Sequence, residues 1–508
     1  MHKLHLISGS HWLGIALSAT LFFLGVAGCG RRASGPGQER TSLQMLDGRS
    51  MPVEEVEAAI ADVLARGAVP GLSCAILNDG QVVYQNGFGY QDAGAGTEND
   101  AETIFAAASF SKTVFAYLVV LLAEEGVLDL DRPLHEYLPK PLPEYPAYAD
   151  LAGDERWKQI TAQIVLSHST GFPNWRFLTP DGKLTFTFSP GTRYGYSGEG
   201  IALLQMVVQE ITGEDLETLA QEHVFGPLGM DRTSYVWQAA FEENHARPHD
   251  TYQRPKTLER RSEADAAGSM MTTAGDYAKL LAAMLNARGK QKAVVREILK
   301  PQIEIDSPQM FAPLGAGRTD RYREIGLAWG LGWGRFDTQH GRAFFHTGHD
   351  FGWQNYTVTY ADQGIGVVLL SNSDNFEAVA AQIVEAAIGD TDSPFQWLGY
   401  PPFDPSIVDR APPPEPVAVH VDPAILDSYV GTYEMNPEQR FDVKREGDRL
   451  SAQGPDGSWL TLYAESETRF FVPESDYRLV FLLAPGGEVT GVQIEIQGLV
   501  LPPAQKVE

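Results

Sequence analysis

Two residues that together could perform nucleophilic chemistry stand three positions apart in an apolar segment. They are Ser109 and Lys112, and Lys112 is the only charged residue between Glu102 and Glu124. Because three residues make nearly one helical turn, the hydroxyl and the amine should share one helix face. Burial disfavours an ammonium and lowers its pKa. A hydroxyl beside such an amine is an activated nucleophile.

The same two residues also have a purely structural explanation. Small residues precede Ser109 and an apolar helix follows it, so its hydroxyl could cap that helix. Lys112 could lay its stem along apolar surface and extend its amine to water. The S-x-x-K spacing alone therefore leaves a nucleophile and a capped helix equally open.

Two further motifs decide between these explanations. The tripeptide Tyr-Ser-Gly at 196–198 follows a Pro-Gly turn and precedes a helical pattern, and His-Thr-Gly stands at 346–348. With Ser109 and Lys112, these motifs resemble S-x-x-K, Y-S/A-N and K/H-T/S-G of the serine β-lactamase and penicillin-binding-protein superfamily, in the same order. The chain is most similar to the class C β-lactamase-like branch, which includes esterases and D-amino-acid peptidases. The resemblance covers residues 51–395.

The resemblance implies a role for each matching residue. Ser109 attacks a carbonyl and forms an acyl-enzyme, and Tyr196 passes the serine proton to the leaving group. Lys112 supplies positive charge or shares the proton, and the sequence leaves open which of the two is the resting base. The oxyanion hole is implied to consist of the backbone N–H groups of Ser109 and His349. The residues implied to bind substrate are Gly198, His346, Thr347 and Gly348.

Two departures from the β-lactamase pattern bear on the substrate. Gly198 stands where the family has an asparagine, and His346 stands where many members have a lysine. A neutral histidine offers a hydrogen bond instead of a permanent cation and should become charged only in mild acid. We therefore expect a carboxylic-ester or amide hydrolase, acting as an esterase or on D-residue or short peptides. A true β-lactamase or DD-peptidase is the first alternative, and a non-catalytic binding module on this fold is another.

Other histidines and aromatic residues have less specific patterns. A metal site could be drawn from His340, His346, His349 and Asp350, but the resemblance implies no metal and no cofactor. His168 is predicted to be structural. Four tryptophans could line a pocket, although core packing is the main expectation for most of them: Trp175, Trp329, Trp333 and Trp353.

The composition limits the class of protein. The chain has 508 residues, of which 43% are hydrophobic and 21% charged. This is globular composition. With 39 Lys plus Arg against 66 Asp plus Glu, the net charge is −27, which argues against nucleic-acid binding. Only Cys29 and Cys74 are present, so the chain is not a disulfide scaffold.

The N-terminal residues are typical of a targeting segment. Lys3 precedes an apolar run that ends in Val-Ala-Gly before Cys29, as in a signal peptide. This ending resembles the lipobox of bacterial lipoproteins, which implies that residues 1–29 are a lipoprotein signal and that Cys29 is lipid-modified. An uncleaved membrane anchor is the alternative. Either way, the body of the protein is expected to be extracytoplasmic, held at a bacterial membrane by residues 30–50 as a tether.

The remaining chain is expected to form two domains that position the motifs. Residues 71–90 predict two strands around Asn78-Asp79-Gly80, a hairpin turn signal, and residues 352–360 and 367–370 also predict strands. Helices are predicted over 109–125, 200–212 and 274–286. The resemblance implies an α+β domain over 51–395, in which helices flank an antiparallel sheet. A Pro-rich linker at 396–423 predicts few contacts between domains. Alternating residues in 424–508 predict a small antiparallel β domain, a barrel or a sandwich.

Overall fold

The computed structural model describes residues 41–507, apart from positions 180, 313–316, 413, 415, 437–438, 455–456, 474, 476 and 497–498. The predicted signal peptide with Cys29 lies outside the described residues, so lipidation, membrane attachment and extracytoplasmic location stay predictions. Within the described part of the chain, no helix combines the length and the apolar character that crossing a bilayer requires.

Helices and strands alternate along the first domain, and strands dominate the last eighty residues. The helices are α1 Val53–Arg66, α2 Phe110–Glu124, α3 Ala162–Leu166, α4 Gly198–Thr212, α5 Leu216–Ala220, α6 Gly226–Leu228, α7 Ala274–Leu285, α8 Lys290–Leu299, α9 Ala380–Ile388, α10 Phe395–Leu398 and α11 Pro423–Tyr429. The strands are β1 Ser42–Gln44, β2 Ser50–Pro52, β3 Gly71–Asn78, β4 Gln81–Asp92, β5 Thr97–Glu98, β6 Phe105–Ala106, β7 Met271–Thr272, β8 Ile303–Glu304, β9 Ala328–Trp329, β10 Gly334–Thr338, β11 Gly341–Asp350, β12 Trp353–Tyr360, β13 Ile365–Ser371, β14 Gly431–Asn436, β15 Gln439–Glu446, β16 Arg449–Gln453, β17 Trp459–Ala464, β18 Arg469–Phe471, β19 Tyr477–Leu483, β20 Val489–Ile496, β21 Leu499–Val500 and β22 Ala504–Lys506.

The first domain is built on one antiparallel sheet whose strand order is β5-β4-β3-β13-β12-β11-β10-β9-β8. The predicted hairpin is confirmed: Asp79 and Gly80 connect β3 and β4 with φ of 52° and 69°, as its Asn-Asp-Gly sequence favours. Strands from the two ends of the domain meet where β3 pairs with β13. This pairing fixes the end of the chain's first domain beside its beginning.

Helices cover both faces of this sheet. Every residue of β3, β12 and β13 is buried, because one cluster of apolar side chains packs on each face. The cluster on one face includes Ile60 of α1 and Ile383 of α9. The cluster on the other face includes Val114 of α2 and Leu281 of α7. The predicted α+β architecture, an antiparallel sheet flanked by helices, is confirmed.

The predicted tether is wrong for residues 41–50. Strands β1 and β2 pair there as a hairpin, and Leu43, Met45 and Leu46 are buried. The Leu46 backbone N–H donates to the Ile388 carbonyl at the end of α9 over 2.9 Å. The prediction of a tether was based on the polar composition of the segment. Three apolar side chains within it nevertheless pack against the first domain and hold the segment in place.

The predicted linker also begins too early. Trp397 in α10 is fully buried in the core of the first domain, and the Tyr400 hydroxyl lies 2.5 Å from the Thr347 hydroxyl of β11. Residues 396–400 therefore belong to the first domain. At the other end, the Val421 side chain is buried in the core of the C-terminal domain. The Pro-rich connection is correspondingly shorter than residues 396–423.

The C-terminal domain is a closed antiparallel barrel. The barrel has eight strands, β14 to β20 and β22, and the pairing of β19 with β20 closes it. Tyr429, Tyr433 and Phe481 pack in its core. The Tyr477 hydroxyl on β19 donates to Glu259 of the first domain over 3.3 Å, so contacts cross between the domains despite the Pro-rich connection.

The N-terminal hairpin offers a direct stability test. We expect Leu43→Ala to lower the free energy of unfolding of the first domain by about 3 kcal/mol, because it leaves a cavity in a closed core. Urea denaturation measures this change. The neighbouring exposed position gives a matched control, and Gln44→Ala should stay within about 0.5 kcal/mol of the wild type. Equal unfolding midpoints for the wild type and Leu43→Ala would contradict the packing of this hairpin.

Candidate active site

A strained turn presents Ser109 at the start of α2. Ala108 adopts φ 46°, a left-handed conformation that is costly for a residue with a Cβ and is typical of functional turns. The Ser111 hydroxyl holds this turn by donating to the Ala108 carbonyl over 2.6 Å and accepting from the Met270 N–H over 3.0 Å. Ser109 precedes the helix but its side chain makes no cap hydrogen bond. The capping explanation of Ser109 is therefore wrong.

Lys112 is buried beside Ser109. Only 1% of Lys112 is exposed, so its amine does not reach water. Its Nζ donates to Ser109 Oγ over 3.0 Å and to the Ala267 carbonyl over 2.5 Å. Burial lowers the pKa of Lys112 to about 8, although the charges of Asp265 and Asp350 oppose this shift. The predicted pairing of a hydroxyl with an amine of lowered pKa is present.

Tyr196 joins this pair from the loop that precedes α4. The Lys112 Nζ lies 5.2 Å from the centre of the Tyr196 ring. Burial raises the pKa of Tyr196, and the nearby Ser109 hydroxyl lowers it by less. The Tyr196 hydroxyl has no hydrogen-bond partner of normal geometry among the described residues. The structure thus brings Ser109, Lys112 and Tyr196 together, with Tyr196 in its protonated form.

His168 holds the Tyr196 loop in place. Its carbonyl accepts from the Gly195 N–H over 2.7 Å, and its Nδ1 accepts from the Ser197 N–H over 3.2 Å. Its ring lies 4.0 Å from the Tyr196 ring, centre to centre. The backbone of His168 has φ 52°, which turns both acceptors towards one loop. Sequence reasoning treated His168 as structural, and nothing in its residue type indicated these contacts to the second motif.

The protonation state of His168 follows from these contacts. Because Nδ1 accepts a hydrogen bond, the proton of the neutral ring lies on Nε2, which is buried without a partner among the described residues. Burial, and then the charge of Lys112, lowers the pKa of His168 well below its ordinary value. His168 therefore remains neutral beside the Tyr196 ring.

An indole occupies the space beside Gly198. A Cβ at position 198 would lie 2.6 Å from two atoms of the Trp175 ring, so a side chain there would displace that ring. The Trp175 segment is held by Arg176 and Glu199, whose charged groups lie 2.6 Å apart and largely buried. The Arg176 N–H also donates to Glu199 over 2.8 Å. Aromatic surface thus replaces the amide that the family pattern has at this point.

His346 is a buried, neutral residue. Its Nδ1 lies 2.7 Å from the Thr347 carbonyl, so Nδ1 donates and Nε2 is left as an acceptor without a described partner. Burial, and then the charge of Lys112, lowers the pKa of His346 to about 3. The expectation that His346 becomes charged in mild acid is therefore wrong, because its surroundings are aromatic. The Trp329 ring lies 5.5 Å away.

The rest of the third motif packs against the turn that carries Ser109. The Thr347 hydroxyl donates to the Asn355 carbonyl over 3.1 Å and contacts the Tyr400 hydroxyl, so both of its partners are protein groups. A Cβ on Gly348 would lie 2.6 Å from the Ala107 carbonyl. This close approach requires glycine and brings the end of β11 to the turn at Ser109.

The His349 side chain lies on the outside of this strand end. It is about half exposed, and its Nδ1 lies 2.9 Å from a Glu377 oxygen. Burial lowers the pKa of His349, but the hydrogen bond and charge of Glu377 outweigh it, and the pKa is raised. Because this side chain bonds to Glu377, any role in the site falls to its backbone N–H.

The alternative metal site does not assemble. No group of three or more His, Cys, Asp or Glu side chains in the described ranges could hold a metal ion. His340 lies near the other end of β11 and contacts the Tyr360 ring. The tryptophans divide between two regions. Trp175 lies beside Lys112, Trp329 beside Tyr196 and Trp333 beside His346, whereas Trp353 packs on Phe105.

Comparison with known proteins identifies the class to which this fold and site belong. The family model named Beta-lactamase matches residues 56–389, more than half of the chain. The chain belongs to this family of hydrolases. A second model, a domain of unknown function (DUF3471), matches residues 415–505, which contain the barrel.

Individual relatives are distant. The chain is 23% identical to penicillin-binding protein 4* of Bacillus subtilis over 80% of this chain and 88% of the relative. It is 25% identical to the unguisins hydrolase ungD of Aspergillus violaceofuscus, over 64% of this chain. It is also 25% identical to the D-aminopeptidase of Gluconobacter oxydans, over 66% of this chain. The chain spans 62% of the length of each of these last two relatives.

Solved structures share the fold. The octameric penicillin-binding protein homologue from Pyrococcus abyssi superimposes with a TM-score of 0.53 at 22% identity, over 89% of this chain and all of that one. The D-alanine carboxypeptidase AmpC from Burkholderia cenocepacia gives a TM-score of 0.53 at 20% identity, over 66% of this chain and 98% of that one.

His168 can be tested as a positioning residue for Tyr196. We expect His168→Ala to lower kcat for hydrolysis by about tenfold to a hundredfold with little change in KM, because Tyr196 loses its support while binding surface remains. His168→Asn should restore part of kcat, since asparagine tolerates positive φ and offers an oxygen to the Ser197 N–H. Equal losses of kcat in both variants would contradict this role.

Proposed function

We propose that the protein is a serine hydrolase that cleaves carboxylic esters or amides, including D-residue or short peptides, through an acyl-enzyme on Ser109. The contact that carries this proposal is the 3.0 Å hydrogen bond between Lys112 Nζ and Ser109 Oγ. It combines a nucleophile with a base whose pKa is lowered to about 8 by burial, so a useful fraction of the amine is neutral near neutral pH.

The proposed reaction assigns the proton first to Lys112. As Ser109 Oγ bonds to the carbonyl carbon, its proton moves to the neutral Lys112 amine, and the carbonyl oxygen becomes an oxyanion. The backbone N–H groups of Ser109 and His349 are proposed to stabilise that charge. Tyr196 then donates its phenolic proton to the departing oxygen or nitrogen, and Lys112 returns a proton to Tyr196. Water next attacks the acyl-enzyme, and the same groups regenerate Ser109.

The surroundings of the site favour esters and amides over β-lactams. A β-lactam or a peptide C-terminus carries a carboxylate, which a cation at position 346 would recognise. Here His346 is neutral and fully buried, and the Trp175 ring occupies the space beside Gly198. The name of one relative, a D-aminopeptidase, supports the peptide branch of this proposal, and that of another, an unguisins hydrolase, supports hydrolysis.

Covalent labelling tests the nucleophile. We expect a fluorophosphonate probe to label the wild type, because the reagent traps an activated serine, and to leave Ser109→Ala unlabelled. In-gel fluorescence measures the label. The exposed Ser189 provides a matched control, so that Ser189→Ala should label like the wild type. Failure of the wild type to label, together with no hydrolysis of p-nitrophenyl esters or D-aminoacyl amides, would favour the non-catalytic binding module.

The pH dependence of hydrolysis tests the base. Below pH 8 Lys112 is mostly an ammonium without a lone pair, and above it the free amine predominates, so kcat/KM should rise with pH through a midpoint near 8. Lys112→Arg should lower kcat/KM by at least about a hundredfold, because arginine stays protonated. The increase of kcat/KM with pH should also disappear in this variant. The same exchange at the surface, Lys158→Arg, should change neither. A rise that persists in Lys112→Arg would remove Lys112 as the base.

A further inference from the structure

A cavity of about 130 Å³ lies between the first domain and the barrel. One wall comes from the first domain and the other from the barrel strands β17, β19 and β20 with their connections. The lining residues that bear on its role are Leu258, Met271 and Trp353 from the first domain, and Leu460, Val472 and Tyr477 from the barrel. These side chains make the interior largely apolar.

Three residues that line the cavity are close along the chain to groups of the candidate site. Ala106 lines it and stands three residues before Ser109, and Gly268 lines it directly after Ala267, whose carbonyl accepts from Lys112. Asp350 lines it directly after His349. The charge of Asp350 also affects the pKa of Lys112. These neighbours connect the cavity to the candidate site, and the cavity offers an apolar recess to a substrate attached at Ser109.

The charged residues at this cavity have charged partners within the protein, and Lys256 lies 3.1 Å from an Asp250 oxygen. Arg261 Nη2 lies 3.2 Å from a Glu259 oxygen and 3.8 Å from an Asp350 oxygen, and Glu259 accepts from Tyr477. Because these charges are already partnered, the cavity does not call for a charged ligand group. Its volume is close to that of an apolar protein cavity of about 150 Å³ that holds one benzene. An uncharged group of ring size fits it.

We propose that this cavity is a substrate subsite that receives one aromatic or branched aliphatic group of the ester or amide, and that the barrel sets its size. The proposal rests on the proposed function of Ser109. Among the described residues, the barrel lines the recess through Leu460 and Val472, and the Tyr477–Glu259 hydrogen bond holds that wall on the first domain. The barrel is thus a specificity element of the enzyme.

Paired substrates and two substitutions at Leu460 test this subsite in the full chain. The first pair is p-nitrophenyl acetate and p-nitrophenyl phenylacetate, and the second is methyl acetate and benzyl acetate, so that a ring is added on the acyl side or the leaving side. Leu460→Trp should fill the cavity and lower, by about tenfold or more in one pair, the ratio of kcat/KM for the substrate with the added ring to kcat/KM for the substrate without it. Leu460→Ala enlarges the cavity and should raise that ratio in the same pair.

A matched control separates the subsite from general effects on the barrel. Leu483 is exposed on β19, and Leu483→Trp should keep the wild-type ratios. Unchanged ratios in both pairs for Leu460→Trp would overturn the subsite while leaving hydrolysis at Ser109 in place. If Leu460→Trp does not fold, unchanged ratios in Leu460→Ala overturn it. A wild type that hydrolyses neither pair and shows no Ser109-dependent labelling would instead overturn the proposed function.

Discussion

The burial of one amine sets the conditions for the whole site. Lys112 makes no ion pair among the described residues, and its Nζ is held by two uncharged oxygens, Ser109 Oγ and the Ala267 carbonyl. Removing an ammonium from water without a directly paired anion is expensive, so burial lowers the pKa of Lys112 despite the charges of Asp265 and Asp350. The strained turn at Ala108 and the buried helix α2 are what keep the hydroxyl and the amine in contact. Without that enclosure, the same two residues would be a surface serine and an ordinary lysine.

The aromatic residues around this pair extend the same constraint. His168, Tyr196 and His346 are all kept uncharged by burial, and each has a buried polar atom without a partner among the described residues. Unpaired polar atoms in a dry site are costly unless something binds them. Around a reactive hydroxyl, they are the groups available to orient a substrate or a catalytic water. The loss of folding free energy caused by these unpaired atoms is consistent with a site organised to bind a substrate.

Features that depend on local spacing could be predicted from the sequence, and features that depend on distant packing could not. The turn at Asp79 and the helix behind Ser109 follow from adjacent residues, and alternation predicted the barrel strands. The hairpin containing Leu43 was missed because its apolar residues matter only once α9 is beside them. The strongly lowered pKa of His346 likewise results from residues far along the chain.

The same reasoning applies to the functional residues. The resemblance of three motifs in the family's order selected Ser109, Lys112 and Tyr196, whereas the spacing of any one motif did not. His168 holds the Tyr196 loop through its positive φ and through two hydrogen-bond acceptors, its carbonyl and Nδ1. The type of a residue does not indicate such contacts. The hydroxyl of Thr347 looked available for a substrate, but its partners come from β12 and from Tyr400. The cavity behind Leu460 forms only where the two domains contact each other. No local pattern in the sequence therefore predicts it.

The Trp175 ring beside Gly198 has an evolutionary consequence. Placing the family's asparagine at position 198 would force the indole out of its place, and replacing the indole alone would leave a void next to Lys112. The two positions are therefore epistatic: neither exchange is favourable until the other has occurred. The side chain that position 198 can carry is therefore set by the side chain at position 175, and the reverse holds as well.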